Sequence, residues 1–184
     1  TMFLEAMNNN EFEYEVYRGH LIAKILLSTS FTSAGAFLTT CFAKKLYNDV
    51  EGYNNIMSVL PDAHFSHKLC LQNPKIIYSH KSLFKYRVHS PDHAQHGAGI
   101  NTKILIDLFQ MTNSYEENKL KMIRISYSDL KTNFVNYWCI RIAMISLLTG
   151  RISKALNNYV FGFVTYPKIM LGNPKIIIIL FLFI

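Results

Sequence analysis

The stretch from Leu60 to His96, LPDAHFSHKLCLQNPKIIYSHKSLFKYRVHSPDHAQH, holds six of the seven histidines of the chain, and its reading decides the fold. Pro61 and Asp62 suit the first turn of a helix. Proline lacks an N–H that is not needed there, and the aspartate carboxylate sits at the positive end of the helix dipole. Phe65, Leu69 and Gln72 follow at helical spacing, and Asn73-Pro74 stops the helix. Ile76, Ile77, Tyr78, Leu83, Phe84, Tyr86 and Val88 then form an extended run of β-branched and aromatic residues. A polar loop, SPDHAQHGAG, follows from Ser90.

Upstream, residues 11–27 (EFEYEVYRGHLIAKILL) are expected to form a helix, with Phe12, Val16, Leu21 and Ile25 recurring at roughly helical spacing and Gly19 weakening its middle. STSFTSAGAFLTT is rich in small residues and predicts a loop entering a short strand over 34–39, where a neighbouring group can approach the backbone. CFAKKLYNDV predicts a short helix closed by the turn EGYNN. Downstream from Ile104 the pattern is helical: Leu120, Ile123, Tyr127, Leu130, Phe134 and Tyr137 step by three and four, and Trp138, Ile142, Ile145 and Leu148 continue to Gly150. A further helix is expected from Ile152 to Val164. The final nine residues, IIIILFLFI, are wholly apolar but would cover roughly 13 Å as a helix, under half a bilayer core.

The 184 residues carry 19 Lys and Arg against 12 Asp and Glu, a net charge of +7. The excess is confined to residues 119–184, which hold nine Lys and Arg and one acid, Asp129. A basic, apolar tail fits an anionic membrane surface or an acidic partner; a solvated basic helix face is the plain alternative. Nucleic acid is not expected as a partner, because no Arg-rich run or base-reading motif is present. Cys41, Cys70 and Cys139 are too scattered for a zinc cluster or disulfide framework and read as reduced, buried thiols of a cytoplasmic protein. The chain opens on Thr1 without a signal-peptide pattern and reads as a fragment or a processed product.

Four clusters could carry chemistry. His64 and His67 stand at i, i+3, but HFSH lacks the glutamate of a zinc-protease helix. Asp62-Ala63-His64 has metal-ligand spacing, yet it opens a helix rather than ending a strand. Asp62 is either a helix-end anion or a base poised to take a proton from a hydroxyl. Lys85, Arg87 and His89 alternate onto one strand face, where they are either a phosphate clamp led by the arginine or protective charges on an exposed edge.

The pieces SAGAFLTTCFAKKLYNDVEGYNN, PDAHFSHKL and SLFKYRVHSPDHAQ stand in an order and spacing that resembles the second half of the catalytic domain of family 2 glycosyltransferases. These are inverting enzymes with the A-type nucleotide-sugar fold. The resemblance covers residues 11–96 and, more loosely, the helical tail. It implies an α/β fold, the C-terminal part of an A-type domain followed by a basic α-helical tail, divided as 1–100 and 101–184. The implied activity is transfer of a sugar from a nucleotide-sugar to a saccharide or lipid-linked acceptor, in cell-surface polysaccharide synthesis. It makes Asp62 the catalytic base, places Arg87 and His89 beside the donor diphosphate and its divalent metal (Mn or Mg), with His89 as metal residue, and places Gly35 beside the sugar pocket. The implied location is the cytoplasmic face of a membrane. Two departures stand out: Pro61 replaces the usual glutamate before the base, and the usual basic residue of the following helix is shifted to His67-Lys68. The nucleotide-binding first half, with its DxD motif, has no counterpart here, so residues 1–184 alone are expected to be inactive.

Overall fold

A computed structural model describes residues 14–31, 40–79 and 100–176. The chain runs through strand β1 (Tyr14–Arg18), helices α1 (Gly19–Ser28), α2 (Lys44–Asp49) and α3 (Pro61–Leu71), and strand β2 (Lys75–Ser79). It continues through α4 (Ile100–Ser114), α5 (Glu117–Met122), α6 (Tyr127–Phe134), a π-helical segment (Val135–Arg141), α7 (Ile142–Leu148), α8 (Ile152–Thr165) and α9 (Pro167–Leu171).

The expected α/β A-type fold is not what forms. The described residues are mostly helical, and their one sheet is the antiparallel pair β1–β2, with Val16 opposite Ile77 and Arg18 opposite Lys75. An A-type domain needs a wider, largely parallel sheet covered by helices on both faces. Here two five-residue strands, largely exposed, flank a helical body.

The expected helix over 11–27 also differs. Tyr14–Arg18 is strand, and the helix begins only at Gly19. The reason lies at Gly19, whose N–H donates to Pro74 O at 2.9 Å. A Cβ there would stand 2.5 Å from both Cys70 O and Pro74 Cδ, so a larger residue cannot enter this crossing. Gly19 therefore marks the joint between β1 and α1 rather than a weak point within one helix.

α1 packs on α3 and α6, α4 on α6 and α8, and α8 on α7, α9 and the π segment. The shared core takes Ala23 and Leu27 from α1, Leu105, Leu108 and Met111 from α4, and Leu130 and Phe134 from α6. Cys139, Ile140 and Met170 complete it, so residues on both sides of position 100 contribute. Several of its buried polar groups are paired. Asn158 Nδ2 donates to Trp138 O at 2.7 Å, where the π-helical winding alters the local backbone bonding, and Trp138 Nε1 donates to Ser30 O at 2.9 Å.

The long helical pattern around 120–137 is broken once. Arg124 takes a left-handed φ of 58° after α5, and Ser126 starts α6 with a capping box. The Ser126 hydroxyl accepts from Asp129 N, and the Asp129 carboxylate accepts from Ser126 N at 2.8 Å. The Ser126 backbone N–H, then its hydroxyl, hold Asp129 below its usual pKa. Of the three cysteines expected to be buried, Cys70 and Cys139 are, whereas Cys41 is exposed.

Candidate active site

The surroundings of Asp62 are assembled from two pieces. α2 and the turn after it bring Leu46, Val50 and Tyr53 against Phe65 and Leu69 of α3, a small cluster separate from the main core. Tyr53 stacks on Phe65 with ring centroids 4.4 Å apart. The turn is tight: Glu51 and Gly52 both have left-handed φ, 56° and 63°. A Cβ on Gly52 would meet the Tyr47 hydroxyl at 2.6 Å, and the left-handed φ itself favours glycine. Lys68 reaches back from α3 to Gly52 O at 3.3 Å, tying turn to helix.

The second piece is Asp107, which no reading of the sequence singled out. It is 1% exposed, in the middle of α4. Its carboxylate accepts from the backbone N–H of Ser58, Val59 and Leu60, with Oδ2 at 3.0, 2.6 and 2.9 Å, and from the Ser58 hydroxyl. Three successive N–H groups converging on one buried anion fix the approach to α3, immediately before Pro61. The signal was present: one acid within the apolar string ILIDLF is costly to bury unless partnered.

Asp62 itself lies in the first turn of α3 and is partly exposed. Its Oδ1 accepts from the Ala63 N–H at 2.8 Å; among the described residues Oδ2 has no hydrogen bond. It is near enough to Tyr53 that, after burial of the phenol, its negative charge is the next cause of a raised Tyr53 pKa. The arrangement offers a carboxylate with one oxygen anchored and the other open, on a helix whose lead-in is rigid. That geometry can accept a proton or a hydrogen bond from a hydroxyl placed above the helix start.

The two α3 histidines face inward. Ser114 Oγ donates to Met111 O, so it accepts from His64 Nε2–H at 2.9 Å, and His64 Nδ1 is buried with no hydrogen-bond partner among the described residues. A protonated ring would bury an N–H without an acceptor. Burial, then the charges of Lys68 and His67, lower the His64 pKa to about 4. His67 Nδ1 is bonded to the Tyr115 hydroxyl at 2.7 Å, and burial holds that phenol well above its usual pKa. The Tyr127 hydroxyl donates to Tyr115 O. Both histidines thus serve the α3–α4 contact.

Gly35, Lys85, Arg87 and His89 lie outside the described residues, as do the strand expected over 34–39 and the final apolar run. Asp62 is therefore the candidate whose position is established. Among the described residues no three His, Cys, Asp or Glu side chains gather to hold a metal ion. A cleft of about 680 Å³ is lined by Asn101, Thr102, Arg151, Lys154 and their neighbours and takes no residue from the Asp62 loop. No described helix is long and apolar enough to cross a membrane. Comparison of the chain with protein-family models, curated proteins and solved structures returns no match.

Proposed function

We propose that this chain supplies the acceptor base of an inverting sugar transferase that uses a nucleotide-sugar donor. The observation that carries the reading is Asp62: a partly exposed carboxylate at the start of α3, with Oδ1 held by Ala63 N–H. It stands at the position that the family resemblance gives to the base. In the step proposed, the acceptor hydroxyl gives its proton to Asp62 while its oxygen attacks the anomeric carbon. The bond to the nucleoside diphosphate breaks on the opposite face, and the diphosphate leaves with the electron pair. Asp62 stands in the first turn of α3, and Asp107 holds the loop from which the helix springs. In this reading Arg87 and His89 would meet the diphosphate, Gly35 would border the sugar, and a divalent ion held in part by His89 would supply further positive charge to the leaving group.

The test is Asp62→Asn in the protein as expressed from its gene, with transfer followed from a panel of nucleotide-sugars to saccharide and lipid-linked acceptors. Asparagine preserves size and is tolerated near helix starts. Transfer is expected to fall about 10² to 10⁴-fold with an unchanged melting temperature and unchanged donor binding. Near-normal turnover in the variant would make Asp62 a helix-end anion and remove the catalytic role.

A further inference from the structure

We infer that the outward face of the α7–α8 hairpin docks on an anionic lipid surface, with α8 lying flat among the headgroups. The inference is independent of sugar transfer. α8 buries Ala155, Asn158 and Gly162 on its inner side. Its opposite side, where a helix on a globular protein normally carries polar residues, presents Ile152, Leu156, Val160 and Val164, four apolar residues at successive i+4 positions. They are 58, 44, 54 and 77% exposed. Ile145 and Leu148 at the end of α7 are exposed as well, a few residues before the turn that leads into α8. Leu171 of α9 is exposed too. A face of this kind on a soluble body marks an interaction site.

Charge selects the occupant. Arg141 shares a helix face with Ile145 and Leu148, Arg151 precedes Ile152, and Lys168 and Lys175 are exposed in and after α9. The chain has no acidic residue after Asp129. A second copy seated on this face would bring together two chains of net charge +7 with no acidic residue after Asp129 to offset the cations. Anionic headgroups neutralise those cations while the acyl boundary takes the apolar side chains. α8, with 14 residues, is roughly 21 Å long, which suits a helix resting in the interface.

The experiment is co-sedimentation of the full chain with phosphatidylcholine vesicles, with and without phosphatidylserine, at low and high salt. Wild type is expected to pellet with the anionic vesicles at low salt, and less with neutral vesicles or at high salt. The triple variant Leu156→Gln, Val160→Gln, Val164→Gln should lose most of that binding with an unchanged circular dichroism spectrum. Arg141→Gln with Arg151→Gln should weaken it about 25-fold, near fivefold for each cation. Val164→Trp keeps the face apolar, and its emission should move to the blue on anionic vesicles. Equal pelleting of the triple variant and wild type, equal binding to both vesicle types, or unmoved emission from Trp at 164 would overturn the proposal. So would a dimer that the triple variant abolishes in the absence of vesicle binding, which would assign the face to a second copy.

Discussion

The approach to α3 and the outer side of α8 follow opposite rules. At α3 the interior contains charge and imidazole, and much of it is partnered: Asp107 takes three backbone N–H groups and a hydroxyl, His67 takes the Tyr115 hydroxyl, and His64 takes Ser114. At α8 the exterior carries aliphatic side chains that are 44 to 77% exposed. A buried polar group in place costs little once bonded, and removing one partner exposes the full desolvation cost of the other. An exposed aliphatic group has no such debt. The first region is therefore fixed by internal contacts, and the second is free to be covered by something else.

Substitutions can break this contrast, and the largest effect is expected at Asp107. Asp107→Ala leaves three amide groups without their acceptor and should cost about 4 kcal/mol, seen as a fall in melting temperature of about 10 °C. Asp107→Asn keeps one acceptor oxygen and should cost about half as much. If Asp107→Ala melted with the wild type, the loop before α3 would not depend on this anion.

The next effect is a pH dependence. His64 has its pKa lowered from 6.5 to about 4 in the folded chain, chiefly by burial. Between those values the unfolded chain binds the proton and the folded chain does not, so this contribution is whole above pH 6.5 and is lost as pH falls toward 4. The full loss is roughly 3 kcal/mol. Urea unfolding of wild type and His64→Gln across this range checks it: the stability difference between them should shrink as the solution is acidified. A constant difference would mean that His64 titrates normally.

The smallest effect belongs to α8. Leu156→Gln, Val160→Gln and Val164→Gln, taken singly, should each change stability by no more than about 0.5 kcal/mol. A loss above about 1 kcal/mol in the same urea titration would show that the face is packed within the chain, and the contrast would fail.

Local signals gave a good account of α3. Pro61, Asp62 and Asn73-Pro74 mark its ends in the sequence, and the helix runs Pro61–Leu71. β2 was likewise legible at Ile76 and Ile77. β1 was not, because Tyr14–Arg18 becomes a strand through pairing with residues about sixty positions later. Its apolar residues also fit a helical period, and the competing tertiary contact decides. The wider A-type sheet was inferred from family likeness rather than from strand patterns in these residues. The described chain forms a helical body, in keeping with the strong helical period after Ile104. At the site, Asp62 was visible because helix starts have a local grammar. Asp107 was passed over because its partners are backbone amides at Ser58, Val59 and Leu60, which leave no mark in side-chain identity. His64 and His67 invited a metal reading for the opposite reason: the sequence shows the imidazoles but not Ser114 and Tyr115, which engage them.

The three thiols sit at three depths. Cys41 is exposed, Cys70 lies in α3 beside the Gly19 crossing, and Cys139 lies in the π segment against Gly162. Burial pushes Cys70 up to about 11 and Cys139 up to about 12. The thiolate is the reactive form, so an alkylating reagent has immediate access at Cys41 and must wait for a fluctuation at the other two. The chain thereby carries its own set of clocks. Modification of Cys70 times the parting of α3 from the β1–α1 joint, and modification of Cys139 times the lifting of α8 from the π segment, each read against Cys41 in the same tube.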